Sequence, residues 1–274
     1  MNLPRRAFLK SSLTASALAA TTSRASAAPA GAAREYYELR AYRVKPGASL
    51  APIEGFLEKA LLPALAKRGV KNVGVFTELE VDKRARTSKP KADTPLWVLI
   101  PHASLESFAS TAAELSADTA VQKAGATYLG VAKASPAFER IDTWLYRAFA
   151  SMPRMEVPAF STKRTPTRVF EMRDYESHSE KAALSKMAMF DNGETELMRD
   201  LGMSPMFFGQ GIAGPNLPHL RYITGGPNLD GHLAPWAKFG PDPRWVKMKD
   251  DPQYKDNTSR NTARFLAPTA YSQL

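Results

Sequence analysis

Apolar and polar positions in the first half of the chain follow a strand period and a helix period in turn. The alternation predicts a strand over 36–44, and a stripe at helical spacing predicts a helix over 49–68 that Pro63 should kink. Ser104 is placed to cap a second helix. Further strands are predicted over 72–79, 96–100 and 141–149, with a polar, lysine-rich loop over 80–94. The resulting order is βαββαβ.

The second half repeats this order. A strand over 168–176 is followed by a helix that the capping box Ser177-x-x-Glu180 should open and that should end near Gly202. The remaining elements are predicted as strands over 205–212 and 219–224, a helical region over 230–251 broken at Gly240, and a strand around 262–266.

An internal repeat marks the two halves. The hexapeptide YELRAY at 37–42 recurs as FEMRDY at 170–175, and such self-similarity indicates repeated structural units. A proline-rich segment, 151–166, separates them as a linker. The predicted fold class is therefore α+β, with two tandem ferredoxin-like βαββαβ units over 34–150 and 167–274.

The first 27 residues read as a targeting segment. Arg5 and Arg6 precede a short apolar run, and Ala25-Ser26-Ala27 offers a cleavage site, which together are typical of a twin-arginine signal peptide. We therefore expect a periplasmic or secreted protein. No later stretch approaches the roughly 20 apolar residues needed to span a bilayer, so no integral membrane segment is expected in the mature chain.

Charge and cysteine content exclude several classes. The chain has 37 basic and 27 acidic residues and no cysteine. The targeting segment holds four of the basic residues and no acidic one, which leaves 33 against 27, a mature charge of +6. The basic residues are scattered, so no nucleic-acid partner is expected. Disulfides and thiolate metal sites are excluded.

These motifs resemble the NIPSNAP family, whose units open with Y-E-L-R-x-Y and close with W-x-x-F followed by D-P-x-W. The opening stands at 37–42, and the closing pattern stands as WAKF at 236–239 and DPRW at 242–245. The first unit lacks the closing tryptophans. The resemblance implies a dimeric α+β barrel, which two units in one chain could complete within the monomer. A homo-oligomer stays open.

A polar stripe is expected in the barrel interior. Side chains alternate along a strand, so Glu38, Arg40 and Tyr42 should share one face, and the apolar set should lie under the helices. The repeat supplies a matching stripe from Glu171, Arg173 and Tyr175. These six side chains could hold an anionic ligand through arginine forks. The alternative is that they pair with one another as buried salt bridges.

Two further features are candidates for ligand contact. His178 lies at a strand-to-helix turn, and Met206, Phe208 and Gln210 should share one strand face as an apolar wall with one amide. The alternatives are an exposed histidine and plain core packing. His219 is expected at the surface. The four histidines lack metal-ligand spacing, so no metal site is predicted.

Two functions remain open. The first is binding of a small apolar or anionic molecule inside the barrel. The second is a monooxygenase-like or haem-linked enzyme, which the resemblance to this type of barrel implies. Haem stays open as a cofactor, although no histidine is placed as a clear axial ligand. Fold alone does not decide between them.

Replacement of both Arg5 and Arg6 by Lys should leave uncleaved precursor in the cytoplasm, because twin-arginine export depends on that pair. Cell fractionation with immunoblotting measures this, with Arg24→Lys as a control inside the same segment. Normal amounts of mature periplasmic protein from the double variant would contradict the targeting assignment.

Overall fold

Antiparallel pairing joins the strands into a sheet that closes on itself. The structure is a computed structural model that describes residues 33–274. Within that range the strands are β1 (Tyr36–Arg43), β2 (Gly74–Asp82), β3 (Thr87–Pro90), β4 (Leu96–His102), β5 (Arg140–Ala148), β6 (Val169–Glu176), β7 (Ser204–Ala213), β8 (His219–Gly226) and β9 (Arg260–Pro268). They pair in the order β3-β2-β4-β1-β5-β7-β8-β6-β9, and β2 also pairs with β9.

The strand order contains the ferredoxin-like arrangement twice. The first unit reads β2-β4-β1-β5 and the second reads β7-β8-β6-β9, so the opening strand of each lies inside its own half of the sheet. Pairing of β5 with β7 and of β9 with β2 closes an eight-stranded barrel, while β3 extends outside the ring. This confirms the α+β fold class. The domain limits stay a prediction, since the described residues form one compact unit.

Helices cover the outer face of this barrel. The α-helices are α1 (Ala51–Phe56), α2 (Leu62–Lys67), α3 (Leu105–Ala117), α4 (Thr119–Ala124), α5 (Ala126–Leu129), α6 (Ala159–Thr162), α7 (Glu180–Met189), α8 (Thr195–Asp200), α9 (Leu229–Phe239) and α10 (Pro243–Lys249). A 3₁₀ turn spans Pro252–Tyr254. In the described part of the chain no helix has the length and apolar character needed to cross a membrane. The predicted targeting segment, 1–27, lies outside the described residues.

Both long helices of the units are interrupted near their middle. A π-helical turn, Leu57–Leu61, joins α1 to α2. Pro63 lies in the first turn of α2 and has no N–H to donate, so the regular α-helical hydrogen bond is missing at this position. The predicted kink therefore takes the form of a π turn. Between α7 and α8 the break is at Gly193, whose φ of 136° is a left-handed value that favours glycine.

One predicted helix start is wrong. The α7 helix is capped by Ser179, whose hydroxyl accepts a hydrogen bond from the Ala182 amide at 3.2 Å. The Ser177 hydroxyl instead donates to the Asn257 carbonyl oxygen at 2.7 Å, so the capping box from Ser177 does not form. Ser104 does cap α3, as its spacing predicts.

Apolar side chains fill most of the barrel lumen. It is packed by apolar side chains from every strand of the ring, including Tyr37, Leu39, Phe170 and Met172. The predicted linker, 151–166, is not an open connection, since it contains α6 and its residues Met155, Val157 and Phe160 pack against this lumen core. Helix-covered cores lie outside the sheet over each unit.

Two glycines of β7 make room for rings that enter the lumen. A Cβ on Gly209 would lie 2.6 Å from the Tyr146 Cβ, and one on Gly211 would lie 3.0 Å from both the His219 ring and its carbonyl oxygen. These distances are too short for side chains. The glycine-rich segment that begins at Gly209 thus serves close packing.

Gly209→Ala should destabilise the protein by about 1–3 kcal/mol, because the added methyl group overpacks the strand against Tyr146. Urea unfolding measures the change. The matched control is Gly55→Ala in α1, where nothing lies within 4 Å of the added Cβ, and helix propensity should raise stability by up to about 1 kcal/mol. Equal effects of the two substitutions would contradict the packing argument.

Candidate functional site

The predicted interior stripe of the first unit lies on the opposite face of its strand. Glu38 accepts a hydrogen bond from His102 at 3.1 Å, and Tyr42 packs in the core beneath α1. The apolar set, with Leu39, enters the lumen instead. The expectation that Glu38, Arg40 and Tyr42 face the interior is therefore wrong. In a closed barrel both strand faces are buried, so alternation alone cannot tell which is inner.

The matching stripe of the second unit is also outside the lumen. Glu171 accepts from the His232 ring at 2.9 Å, and the Arg173 guanidinium stacks 4.5 Å from the Trp236 ring centroid. The Tyr175 and Tyr222 hydroxyls are 2.9 Å apart. The closing W-x-x-F motif thus supplies an aromatic cover for Arg173. Placement of Glu171, Arg173 and Tyr175 in the interior is wrong, and a ligand role for them stays a prediction.

The predicted apolar wall is split by an irregularity in β7. The register with β8 shifts between Pro205 and Phe207, so Met206 packs in the lumen while Phe208 packs in the outer core. Gln210 lines an external groove of about 260 Å³ beside α7. His178 is exposed in a different surface cleft. These four residues do not meet at one site.

A charged cluster occupies one end of the lumen instead. Arg221 donates from Nε and Nη2 to the two carboxylate oxygens of Asp174, the second at 3.0 Å. Asp174 also accepts from Arg264 Nη1 at 2.9 Å and from the Thr262 hydroxyl at 3.3 Å. Burial on its own favours the neutral acid, but the Arg221 charge and hydrogen bonds lower the pKa of Asp174. The carboxylate is therefore ionised and fully engaged.

Two tryptophans of the first unit face these arginines. The Arg221 guanidinium carbon lies 4.6 Å from the Trp144 ring centroid, and that of Arg264 lies 5.5 Å from the Trp97 ring centroid. Both distances are within cation–π range. The indole of Trp97 is fixed by donation to Glu78 Oε1 at 3.0 Å, and that of Trp144 by donation to the Pro215 carbonyl at 3.1 Å.

His219 lies buried beside this cluster, so its predicted surface position is wrong. Its Nδ1 is 3.1 Å from the Asn216 carbonyl oxygen, which can only accept, and its Nε2 is 3.0 Å from the Tyr146 hydroxyl. Nδ1 therefore carries the proton, and Nε2 accepts from Tyr146. Burial, with the neighbouring Arg221 charge, lowers the pKa of His219, so the ring is neutral at neutral pH.

A small cavity opens at this end of the lumen. Its volume is about 90 Å³, and its walls combine the two indoles with charged and polar groups: Trp97, Trp144, Asp174, Glu176, Asn216, His219, Arg221, Arg260, Thr262 and Arg264. Arg221 is 4% exposed, and its Nη1 has no hydrogen-bond partner among residues 33–274. A buried charged donor without a partner is costly. The arrangement suits a small polar occupant.

A haem does not fit this lumen. The cavity is well below the roughly 300 Å³ at which pockets for drug-sized molecules begin, and the rest of the lumen is filled by side chains. His219, which borders the cavity, uses both ring nitrogens in hydrogen bonds. In the described part of the chain no three His, Cys, Asp or Glu side chains are arranged to hold a metal ion.

Sequence reasoning missed the residues that line this cavity, although one signal was present. Asp174 belongs to the otherwise apolar set of its strand and stands where the first repeat has Ala41. The registers pair Asp174 with Arg221, and Ala41 with Trp97. A charge that replaces alanine in one copy of a repeat marks the copy that holds the polar site.

Comparisons with known proteins agree with this fold. Residues 170–273 match the NIPSNAP family model. A structure described as a candidate monooxygenase from Fusobacterium nucleatum has a TM-score of 0.53 and 10% identity, and the alignment covers 86% of this chain and 93% of that one. A NIPSNAP-like domain protein from Burkholderia xenovorans has a TM-score of 0.35 and 17% identity, with 39% and 90% covered.

A heme-binding protein from Thermus thermophilus is also similar, with a TM-score of 0.42 and 12% identity over 87% of this chain and 92% of that one. No curated protein sequence matches the chain. At these identities the structural similarities show the fold alone. The family match covers the second unit, and a NIPSNAP assignment of the first unit stays a prediction.

Glu38→Gln should cost more stability at neutral pH than in acid. Burial alone would raise the pKa of Glu38, but the His102 hydrogen bond and the Arg40 charge lower it below the usual 4.5. A lowered native pKa means that ionised Glu38 stabilises the fold above about pH 4.5, and that this contribution is lost as pH falls through the native pKa. We expect a loss of about 1–3 kcal/mol at pH 7.

Urea unfolding at pH 7 and at pH 3.5 tests this expectation. Glu114→Gln is the matched control, because its carboxylate pairs with Arg68 at the surface and should contribute less than about 1 kcal/mol at either pH. If Glu38→Gln lost the same free energy at both pH values, the ionised Glu38 carboxylate would not be the source of the stabilisation.

Proposed function

We propose that this is an exported protein that binds a small apolar or anionic molecule at the polar end of its α+β barrel. The observation that carries the proposal is the cavity between Trp97, Trp144 and Arg221, at the end of a lumen whose remainder is filled by side chains. Binding sites combine apolar or aromatic walls with a few convergent polar groups, and this cavity has both.

Two features support binding rather than plain packing. The Arg221 Nη1 donor lacks a partner among the described residues, and the two indoles are held by their own hydrogen bonds. A pre-organised wall lowers the entropic cost of binding. The monooxygenase-like alternative has the fold likeness alone in its favour.

Export rests on the targeting segment. Such a route delivers a protein folded before it crosses the membrane, and a barrel with no cysteine needs no oxidation to mature. The proposal therefore places the binding reaction in the periplasm or outside the cell.

The protein purified from its own host should carry a small molecule that native mass spectrometry detects and that leaves on denaturation. Thr262→Phe should lose this molecule, because the new ring would fill the cavity. Thr127→Phe, at an exposed position of α5, is the matched control and should retain it. Thermal unfolding of both variants verifies that each is folded.

Two outcomes would contradict the proposal. Retention of the same molecule by folded Thr262→Phe would mean that it binds elsewhere. A preparation that carries no molecule, and that a panel of small acids, amides and aromatic compounds does not stabilise, would remove the binding function. A haem absorption band at about 400 nm would favour the haem-linked alternative.

A further inference from the structure

The unpaired donor of Arg221 specifies a kind of ligand. A guanidinium has five N–H groups, and in Arg221 one on Nε and one on Nη2 donate to Asp174. The two on Nη1 remain without a partner among residues 33–274, although the side chain is almost wholly buried. Because Arg221 lines the cavity, an acceptor placed there would complete its hydrogen bonding.

The neighbouring carboxylates have other partners among the described residues. Asp174 already accepts from Arg221, Arg264 and Thr262. The carboxylate of Glu176 lies 4.0 Å from Arg260 at the cavity mouth. Glu78 lies behind Trp97 and accepts from that indole and from Lys91.

The net charge of the cavity wall is positive. Arg221, Arg260 and Arg264 face two acids, Asp174 and Glu176, and His219 is neutral at neutral pH. The wall therefore carries one excess positive charge. An excess of this sign attracts an anion.

The shape of the cavity restricts the anion. The space of about 90 Å³ is far smaller than a pocket for a drug-sized molecule, which begins at roughly 300 Å³. Two indole rings line it, and their centroids are 5.8 Å apart. A carboxylate is flat, carries one charge and fits the N–H spacing of a guanidinium.

We propose that this cavity is a subsite for a small carboxylate, with Arg221 Nη1 as the donor that recognises it and Asp174 as the residue that holds Arg221 in position. This inference rests on the proposed binding function and goes beyond it, since it specifies an anionic rather than an apolar ligand and names the N–H group that binds the anion.

The four indole N–H signals of the protein provide the readout. Trp97 and Trp144 line the cavity, whereas Trp236 and Trp245 pack in the outer core of the second unit. Titration of ¹⁵N-labelled protein with sodium acetate should shift the first two signals saturably and leave the others still, against sodium chloride at equal ionic strength. Acetamide, which is uncharged and of the same shape, should bind at least about ten-fold more weakly.

Two variants test the assignment to Arg221. Arg221→Lys keeps a cation beside Asp174 and removes Nη1, and Thr262→Asp adds a negative charge to the cavity wall. Each should weaken acetate binding at least about ten-fold. The controls are Arg244→Lys, which alters a surface arginine that forms the same fork with Asp242, and Thr127→Asp at an exposed position; both should bind acetate as the native protein does.

The outcomes separate this inference from the proposed function. Three results would overturn the carboxylate subsite. Acetamide could bind as tightly as acetate, sodium phosphate could shift the two signals while acetate does not, or folded Arg221→Lys could keep the native affinity for acetate. If acetate does not bind while Thr262→Phe still loses a copurified molecule, the subsite is wrong and the binding function stands. If acetate does not bind and Thr262→Phe loses no copurified molecule, the subsite and the binding function are both wrong. Should Arg221→Lys not fold, Thr262→Asp and the acetamide comparison decide.

Discussion

Closure of the sheet is the constraint on which the rest of this protein depends. The pairings of β5 with β7 and of β9 with β2 satisfy the strand edges that each ferredoxin-like unit would otherwise expose. Once the ring is closed, every strand in it has one face against helices and one face against the lumen. Neither unit can complete its hydrogen bonding alone, so we expect the barrel to unfold as one cooperative body rather than unit by unit.

Burial on both faces explains where the charges lie. A buried charge is tolerated when it is paired and hydrogen-bonded, and each face satisfies this in its own way. On the outer face, Glu38 and Glu171 meet His102 and His232. On the inner face, Asp174 meets Arg221. The outer pairs repeat in both units and serve the fold, whereas the inner pair occurs in one unit only.

The sequence was enough to predict the fold but not the site. Alternating apolar positions, the repeated hexapeptide and the cap at Ser104 are local signals, and local signals identify strands, helices and their order. The choice of inner and outer face is not local. The Glu38 stripe looked interior because polar residues in an open sheet face away from helices, but here His102 lies on the helix side and accommodates the carboxylate.

No local sequence pattern predicts the contacts between the two units. Trp144 and Arg221 are far apart in the chain, and nothing in either segment indicates that the guanidinium stacks on that indole. His219 also looked like a surface residue at the start of a strand, because its burial depends on Gly211 and Tyr146 in other strands. The bulge near Met206, which places neighbouring residues on unexpected faces, left no signal in the composition.

The registers place tryptophan and arginine at equivalent positions of the two units, and this has a consequence for stoichiometry. Arg221 lies opposite Asp174 in the second unit, and Trp97 lies opposite the equivalent Ala41 in the first. In the same way, Arg264 lies opposite Met172, and Trp144 lies opposite the equivalent Leu39. In a homodimer with a twofold axis every such residue would occur twice, and both halves would present the same side chains to each other. Covalent linkage of the units removes that symmetry. One half can then contribute cations while the other contributes the aromatic rings that lie against them, and each chain carries a single, asymmetric cavity.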